Sequence, residues 1–193
     1  MSGISDQKKA LRTQLLAKRQ VLTSHQWRTK SKAIKEFLFE STSYIKAKTI
    51  HCFVSMNERK EVNTLPILEK MLVDGKKVII PVTNFENGEL EHSFFLGQDT
   101  LSPNKWGVLE PLEQDRVEPT TIDLILVPLL AVDNYGNRLG YGKGFYDRFL
   151  NQTNALKLGL LFQDFVLPQI PVDHFDEQLD GFITENGVRY LQQ

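Results

Sequence analysis

Ile122 to Leu130 is an apolar run broken only by Asp123 and Pro128, and ten residues beyond its end begin three alternating glycines, at 140, 142 and 144. So apolar a run reads as a buried strand, which alternating glycines cannot continue. The chain must turn there. The stretch Asn137-Arg138-Leu139-Gly140-Tyr141-Gly142-Lys143-Gly144-Phe145-Tyr146-Asp147-Arg148 therefore sets glycines, cations and a carboxylate between a strand and a helix. Glycines let backbone N–H groups approach an anion, and a helix starting near Lys143 would aim its positive end at the same place. The pattern suits a phosphorylated ligand.

Two better-known phosphate motifs do not fit. A Walker loop needs Gly at 137 and Ser or Thr at 144, where the chain has Asn137 and Gly144. A dinucleotide fingerprint needs Gly at 145, where it has Phe145. Lys143 and Asp147 are four apart, so on one helix they share a face, a cation for phosphate beside a carboxylate for a metal. On spacing alone, an ordinary surface ion pair worth roughly 0.3–0.5 kcal/mol explains them equally well.

The remainder alternates as an α/β chain should. Leu11, Leu15 and Leu22 recur at helical spacing, with Lys8, Arg12 and Arg19 on a neighbouring stripe. A second helix begins after Thr23 or Ser24, with Gln26 closing a capping box, and buries Trp27, Ile34, Phe37 and Leu38. Thr49 to Ser55, Lys77 to Val82, Leu90 to Phe95, Ile122 to Val127 and Leu156 to Phe162 read as strands, and Thr64 to Val73 as the helix between the first two. A mostly parallel sheet follows, and in such sheets ligands gather beyond the carboxyl ends of the strands. Residues 97–121, rich in Pro, Asp, Glu and Thr, read as a surface excursion. The 193 residues (1–193) make a single domain.

The segment Pro128 to Asp133, continued by Gly136 to Asp147, resembles the signature of the 5-formyltetrahydrofolate cyclo-ligase (methenyltetrahydrofolate synthetase) family. The resemblance extends to Lys8-Lys9-Ala10-Leu11-Arg12, to Ser55-Met56 with Glu61-Val62-Asn63-Thr64, to Trp106-Gly107-Val108-Leu109-Glu110-Pro111, and to Pro171-Val172-Asp173-His174-Phe175-Asp176. It implies a Rossmann-like open α/β sheet with helices on both faces. It further implies ATP-driven closure of 5-formyltetrahydrofolate to 5,10-methenyltetrahydrofolate with release of ADP and phosphate. Such phosphoryl transfer needs positioning and charge stabilisation more than a protein nucleophile.

Residue by residue, the resemblance implies ATP contacts from Lys8, Lys9 and Arg12, and from Arg138, Leu139, Gly140, Tyr141, Gly142, Lys143, Gly144, Phe145 and Tyr146. Arg138 and Lys143 are the catalytic candidates. Asp147 and Asp176 are the expected Mg²⁺ ligands, with Asp173 and Asp180 as substitutes. Glu61 resembles the carboxylate that takes the donor-rich pterin edge, with Val54, Met56, Trp106, Tyr141, Phe145 and Tyr146 as further substrate contacts. The loop Asn57-Glu58-Arg59-Lys60 is longer than in many relatives, which leaves Glu58 as the alternative carboxylate. Phe145 replaces a usual Tyr.

A formal net charge of −1 argues against a dedicated nucleic-acid binder. Nine Lys or Arg against one acid in residues 1–35 faintly resemble a transit peptide, but their helical spacing favours a helix of the folded body. No apolar run reaches the ~20 residues of a membrane span. One cysteine, Cys52, allows no internal disulfide and fits a reducing cytoplasm. The histidines at 25, 51, 92 and 174 lack the spacing of a metal site. A monomer is expected. The competing functions are a folate- or nucleotide-binding module without turnover, and another α/β enzyme such as a sugar-phosphate isomerase or CoA transferase.

Overall fold

The computed structural model describes residues 3–191. Helices α1 (Ile4–Gln20), α2 (Ser24–Glu40) and α3 (Thr42–Lys46) precede strand β1 (Thr49–Cys52). The expected capping box opens α2: the Gln26 amide donates to Thr23 Oγ1, and the Thr23 amide to the Gln26 side chain. Helix α1 ends before Leu22, which packs on the core from the turn that follows. Then come α4 (Leu65–Val73), β2 (Lys77–Asn84), β3 (Glu89–Phe94), β4 (Leu101–Pro103), β5 (Leu109–Pro111) and β6 (Leu124–Pro128). The chain closes with β7 (Ala131–Asp133), β8 (Arg138–Leu139), α5 (Phe145–Leu150), β9 (Leu156–Leu160), β10 (Val166–Leu167), β11 (Gly181–Thr184) and β12 (Gly187–Tyr190).

One seven-stranded sheet runs in the order β12-β11-β9-β6-β1-β2-β3. The five strands from β11 to β2 are parallel, and β12 and β3 add antiparallel edges. Strands β1, β6 and β11 are buried almost throughout, as parallel strands covered on both faces must be. The crossover β1–α4–β2 moves one way along the sheet, and the path from β6 through α5 to β9 moves the other. Right-handed crossovers in opposite directions place their helices on opposite faces. Strands β1 and β6 are neighbours from which the chain departs in opposite directions, so a crevice opens beyond their carboxyl ends.

Three sequence expectations change. The glycine loop does not follow the long apolar strand directly: β7 and β8 form a hairpin in a second, three-stranded sheet with β10 before the loop begins. Helix α5 starts at Phe145 rather than near Lys143, because Gly144 at φ 70° caps it from the left-handed region. With Lys143 outside the helix, the i,i+4 pair with Asp147 does not form; Asp147 pairs with Arg138. Residues 97–121 are more than a surface excursion, since β4 and β5 form a hairpin that carries Trp106 to the crevice.

Beneath the crevice the sheet buries two histidines. His51 on β1 and His92 on β3 lie with ring centroids 5.2 Å apart, and Phe149 of α5 covers them at 4.7 and 4.3 Å. Neither ring nitrogen of His51 has a protein partner among the described residues. Burial, reinforced by His92, holds His51 well below the ordinary histidine range, and burial lowers His92 to about 4. Both are therefore neutral in the folded protein and ionise near 6.5 once unfolded. Their contribution to stability is full above 6.5 and is lost as pH falls from there towards 4. Denaturant unfolding between pH 7.5 and 4.5 should show a falling midpoint, and His92→Phe should flatten that fall; a midpoint equally steep in the variant would assign it to other groups.

Candidate active site

The crevice is an open cleft of about 480 Å³. Phe53 and Val54 enter it from the end of β1, Pro128 from the end of β6, and the glycine loop closes one side. Gly142 takes φ 88°, and a Cβ there would sit 2.9 Å from the Arg12 guanidinium carbon. The left-handed φ favours glycine at 142, while the Arg12 guanidinium, the end of a flexible side chain, could shift. Arg12 lies across the loop and donates from Nε to the Gly140 carbonyl at 2.9 Å. The loop is thus clamped by α1, an element more than a hundred residues earlier.

Two ion pairs organise the phosphate-like end. Lys8 is buried and pairs with Asp176; Arg138, also buried, pairs with Asp147. Burial lowers the Arg138 guanidinium from its usual range, opposed by the charges of Asp147, Tyr146 and Asp176. Arg138 and Tyr146 both line the cleft, and Arg138 Nε and Tyr146 Oη have no protein partner among the described residues. Lys143 is exposed and enters no ion pair in this geometry; its Nζ lies 5.9 Å from the Trp106 ring centroid. Lys9 is exposed on α1, and Leu139 is a core residue of β8.

Among the described residues no cluster of three or more His, Cys, Asp or Glu is set to hold a metal. The expected pair fits a narrower role. Asp147 gives Oδ1 to Arg138, and Asp176 gives Oδ2 to Lys8 and to the Asp173 amide at 2.7 Å. The second oxygen of each carboxylate is uncommitted, a donor set suited to a hard cation that takes its remaining ligands from phosphate and water. Of the substitutes, Asp180 accepts from the Lys157 amide at 2.7 Å, and Asp173 Oδ1 lies 2.8 Å from His174 Nδ1.

Glu61 also lines the cleft and is 6% exposed. The Met56 amide donates to its Oε2 at 2.6 Å, and the Tyr141 hydroxyl donates to Oε1. The Trp27 indole holds the Glu61 carbonyl at 2.5 Å. Glu58, by contrast, is exposed on the 3-10 turn Asn57–Arg59, so the longer loop carries it outward and leaves Glu61 inside. Lys60 absorbs the reversal in the left-handed region at φ 53°. An aromatic wall lines the same cleft: Trp106 packs edge-on against Phe85 at 4.4 Å and lies 6.0 Å from Phe145.

The structure thus brings Val54, Met56, Glu61, Trp106, Arg138, Asp147 and the loop from Gly140 to Tyr146 to one cleft, with Lys8, Arg12 and Asp176 adjoining it. Sequence reasoning passed over Arg59, Thr83, Leu90 and Glu110, which also line it. Thr83 and Leu90 pair across β2 and β3, and the Thr83 amide donates to Glu110 at 2.7 Å. No local motif marks Thr83 and Leu90, because their place depends on strand pairing.

The sequence profile of the 5-formyltetrahydrofolate cyclo-ligase family matches residues 4–185. The chain is 30% identical to the 5-formyltetrahydrofolate cyclo-ligase of Escherichia coli, over 89% of this chain and 96% of that protein. It is 28% identical to the mouse 5-formyltetrahydrofolate cyclo-ligase, over 95% and 96%. In three dimensions it resembles the 5,10-methenyltetrahydrofolate synthetase of Aquifex aeolicus with a TM-score of 0.85, at 32% identity over 96% of this chain and 93% of that one. A match that spans fold, cleft and loop together makes this chain a member of the 5-formyltetrahydrofolate cyclo-ligase family.

Proposed function

We propose that the protein converts 5-formyltetrahydrofolate to 5,10-methenyltetrahydrofolate at the expense of ATP, which leaves as ADP and phosphate. The observation that carries this reading is the composition of one cleft, which holds both a cationic glycine loop and, joined to it through Tyr141, the buried carboxylate of Glu61 with an aromatic wall. A triphosphate at the first and a pterin at the second meet beside Arg138 and Lys143.

In this reading the formyl oxygen attacks the γ-phosphorus and ADP departs, which converts a poor leaving group into a phosphate ester. The neighbouring folate nitrogen then attacks the activated carbon, the C–O bond breaks, and phosphate leaves as the ring closes. Arg138 and Lys143, which both line the cleft, stabilise charge on the transferring group. Lys8 and Arg12 steady the remaining phosphates, with the backbone of Gly140 to Gly144. Asp147 and Asp176 would hold Mg²⁺, which when bound offsets charge on the phosphate oxygens. Glu61 accepts from the amino-pyrimidinone edge, while Met56, Val54 and Trp106 supply apolar surface. The chain acts as one domain and a monomer, and its buried lone Cys52 suits the cytoplasm.

Purified protein with 5-formyltetrahydrofolate, Mg²⁺ and ATP should develop the methenyl absorbance in step with ADP release, and neither without ATP. Absence of both from folded protein would reject the cyclo-ligase reading. Lys143→Ala should lower kcat by ~10²–10³-fold by removing charge stabilisation in the transition state; an unchanged kcat would return Lys143 to the role of a surface cation. Glu61→Gln should raise KM for the folate by about 10–100-fold through loss of a charged acceptor, with KM for ATP nearly unmoved. A matched rise in both constants would count against a dedicated folate contact.

A further inference from the structure

Arg19 is a charged side chain only 4% exposed, and the phosphoryl-transfer chemistry leaves it unused. It reaches from the last turn of α1 into a small pocket behind Glu61, where Nη2 donates to the Tyr141 hydroxyl at 2.5 Å. Its guanidinium carbon stands 5.7 Å from the Tyr141 ring centroid, and exposed Arg59 lies 5.4 Å from the same ring. Nη1 makes only a long contact of 3.5 Å to the Leu129 carbonyl, and Nε has no protein partner among the described residues. A buried arginine so loosely tied to the backbone is a poor structural filler, because desolvating its charge costs several kcal/mol. The strong contact it does make leads to Tyr141.

That contact has a direction. A phenol carries one proton, so a hydroxyl that accepts from Arg19 commits its proton elsewhere. The acceptor is Glu61 Oε1. Burial, then the Glu61 charge, raises the Tyr141 hydroxyl above its ordinary range, so it stays a donor. The Met56 amide meanwhile fixes Oε2 at 2.6 Å. With both oxygens held, the carboxylate plane cannot rotate, and each oxygen keeps a lone pair for an incoming donor. Bidentate recognition of two parallel N–H groups needs such a fixed plane.

We infer that Arg19 is a positioning residue of the ligand site, acting through the Tyr141 hydroxyl to hold the Glu61 carboxylate in one plane for a substrate with two parallel N–H donors. The amino-pyrimidinone edge of a pterin is that class of group, so the inference rests on the folate reading of the cleft. Arg19 touches neither substrate nor reacting atoms; it preorganises the acceptor that does.

The test compares Tyr141→Phe, Arg19→Gln and the double variant with the wild type. It reads folate KM, ATP KM and kcat from the methenyl absorbance, and folate Kd without ATP from intrinsic tryptophan fluorescence. Each single variant should raise folate KM and Kd about tenfold, the loss of one charge-supported hydrogen bond, with ATP KM and kcat changed by about threefold at most. The double variant should be no worse than the worse single one, because both break the same chain. Unchanged folate constants in Tyr141→Phe would overturn the inference. So would additive losses, or equal losses in folate and ATP constants, which a merely structural Arg19 predicts. Should Arg19→Gln fail to fold, Tyr141→Phe still decides, since it removes one oxygen and keeps the ring. Folate binding without ATP separates the two readings: wild type that binds but never forms methenyl product rejects the proposed reaction, while a tenfold Kd difference in Tyr141→Phe still sustains the inference.

Discussion

The carboxylate of Asp133, fully buried at the end of β7, holds together the part of the molecule that the site depends on. It accepts from the amides of Tyr135 and Asn137 at 2.9 and 3.0 Å, from the Asn137 side chain at 2.9 Å, and from the Ile170 amide at 3.1 Å. A buried carboxylate is tolerable only when its lone pairs are filled in this way. These four bonds close the turn between β7 and β8 and tie it to the segment after β10. Arg138 is the first residue of the returning strand, so its position over the crevice follows from the turn that Asp133 sets. Gly136 completes the arrangement at φ 85°, where a Cβ would meet the Leu179 carbonyl at 2.6 Å.

Above that scaffold, charge is balanced before any ligand arrives. Lys8 faces Asp176 and Arg138 faces Asp147, so the buried cations are neither unpaired nor wholly saturated. For the phosphoryl transfer proposed for this cleft, the consequence is a site whose donors are already oriented and need little reorganisation. The surroundings of Glu61 work in the same way with opposite sign. Glu61 is buried, yet a backbone amide and a tyrosine hydroxyl backed by Arg19 support its oxygens. Each part of the cleft thus offers charge that neighbouring groups have stabilised without consuming its bonding capacity.

Much of this was legible in the chain itself. The apolar run around β6, the helix between β1 and β2, and the Thr23 capping box are local patterns, and local patterns survive translation into structure. The glycine loop was legible for a related reason: φ 88° at Gly142 and 70° at Gly144 are conformations that few other residues adopt. The resemblance supplied Lys8, Arg12 and Asp176, which no spacing could have connected to a loop at 140–144. The expected Lys143–Asp147 pair failed because a left-handed Gly144 starts the helix two residues later than the charge pattern suggested. Helical spacing puts Arg19 on a stripe with Lys8 and Arg12, whereas its neighbours in space, Tyr141 and Leu129, lie more than a hundred positions away.

By itself, then, the sequence determined the α/β class, the parallel sheet, the turn after β8 and the kind of ligand chemistry that glycines beside cations favour. These depend on hydrophobic periodicity and on φ preferences, both of which act over a few residues. The tertiary structure alone decided which charges pair, which carboxylate of the Glu58–Glu61 loop faces inward, and how the β4–β5 hairpin walls the cleft. Those outcomes follow from strand order and from the cost of burying a charge without a partner. Both are set by groups that meet only when distant segments close on one another.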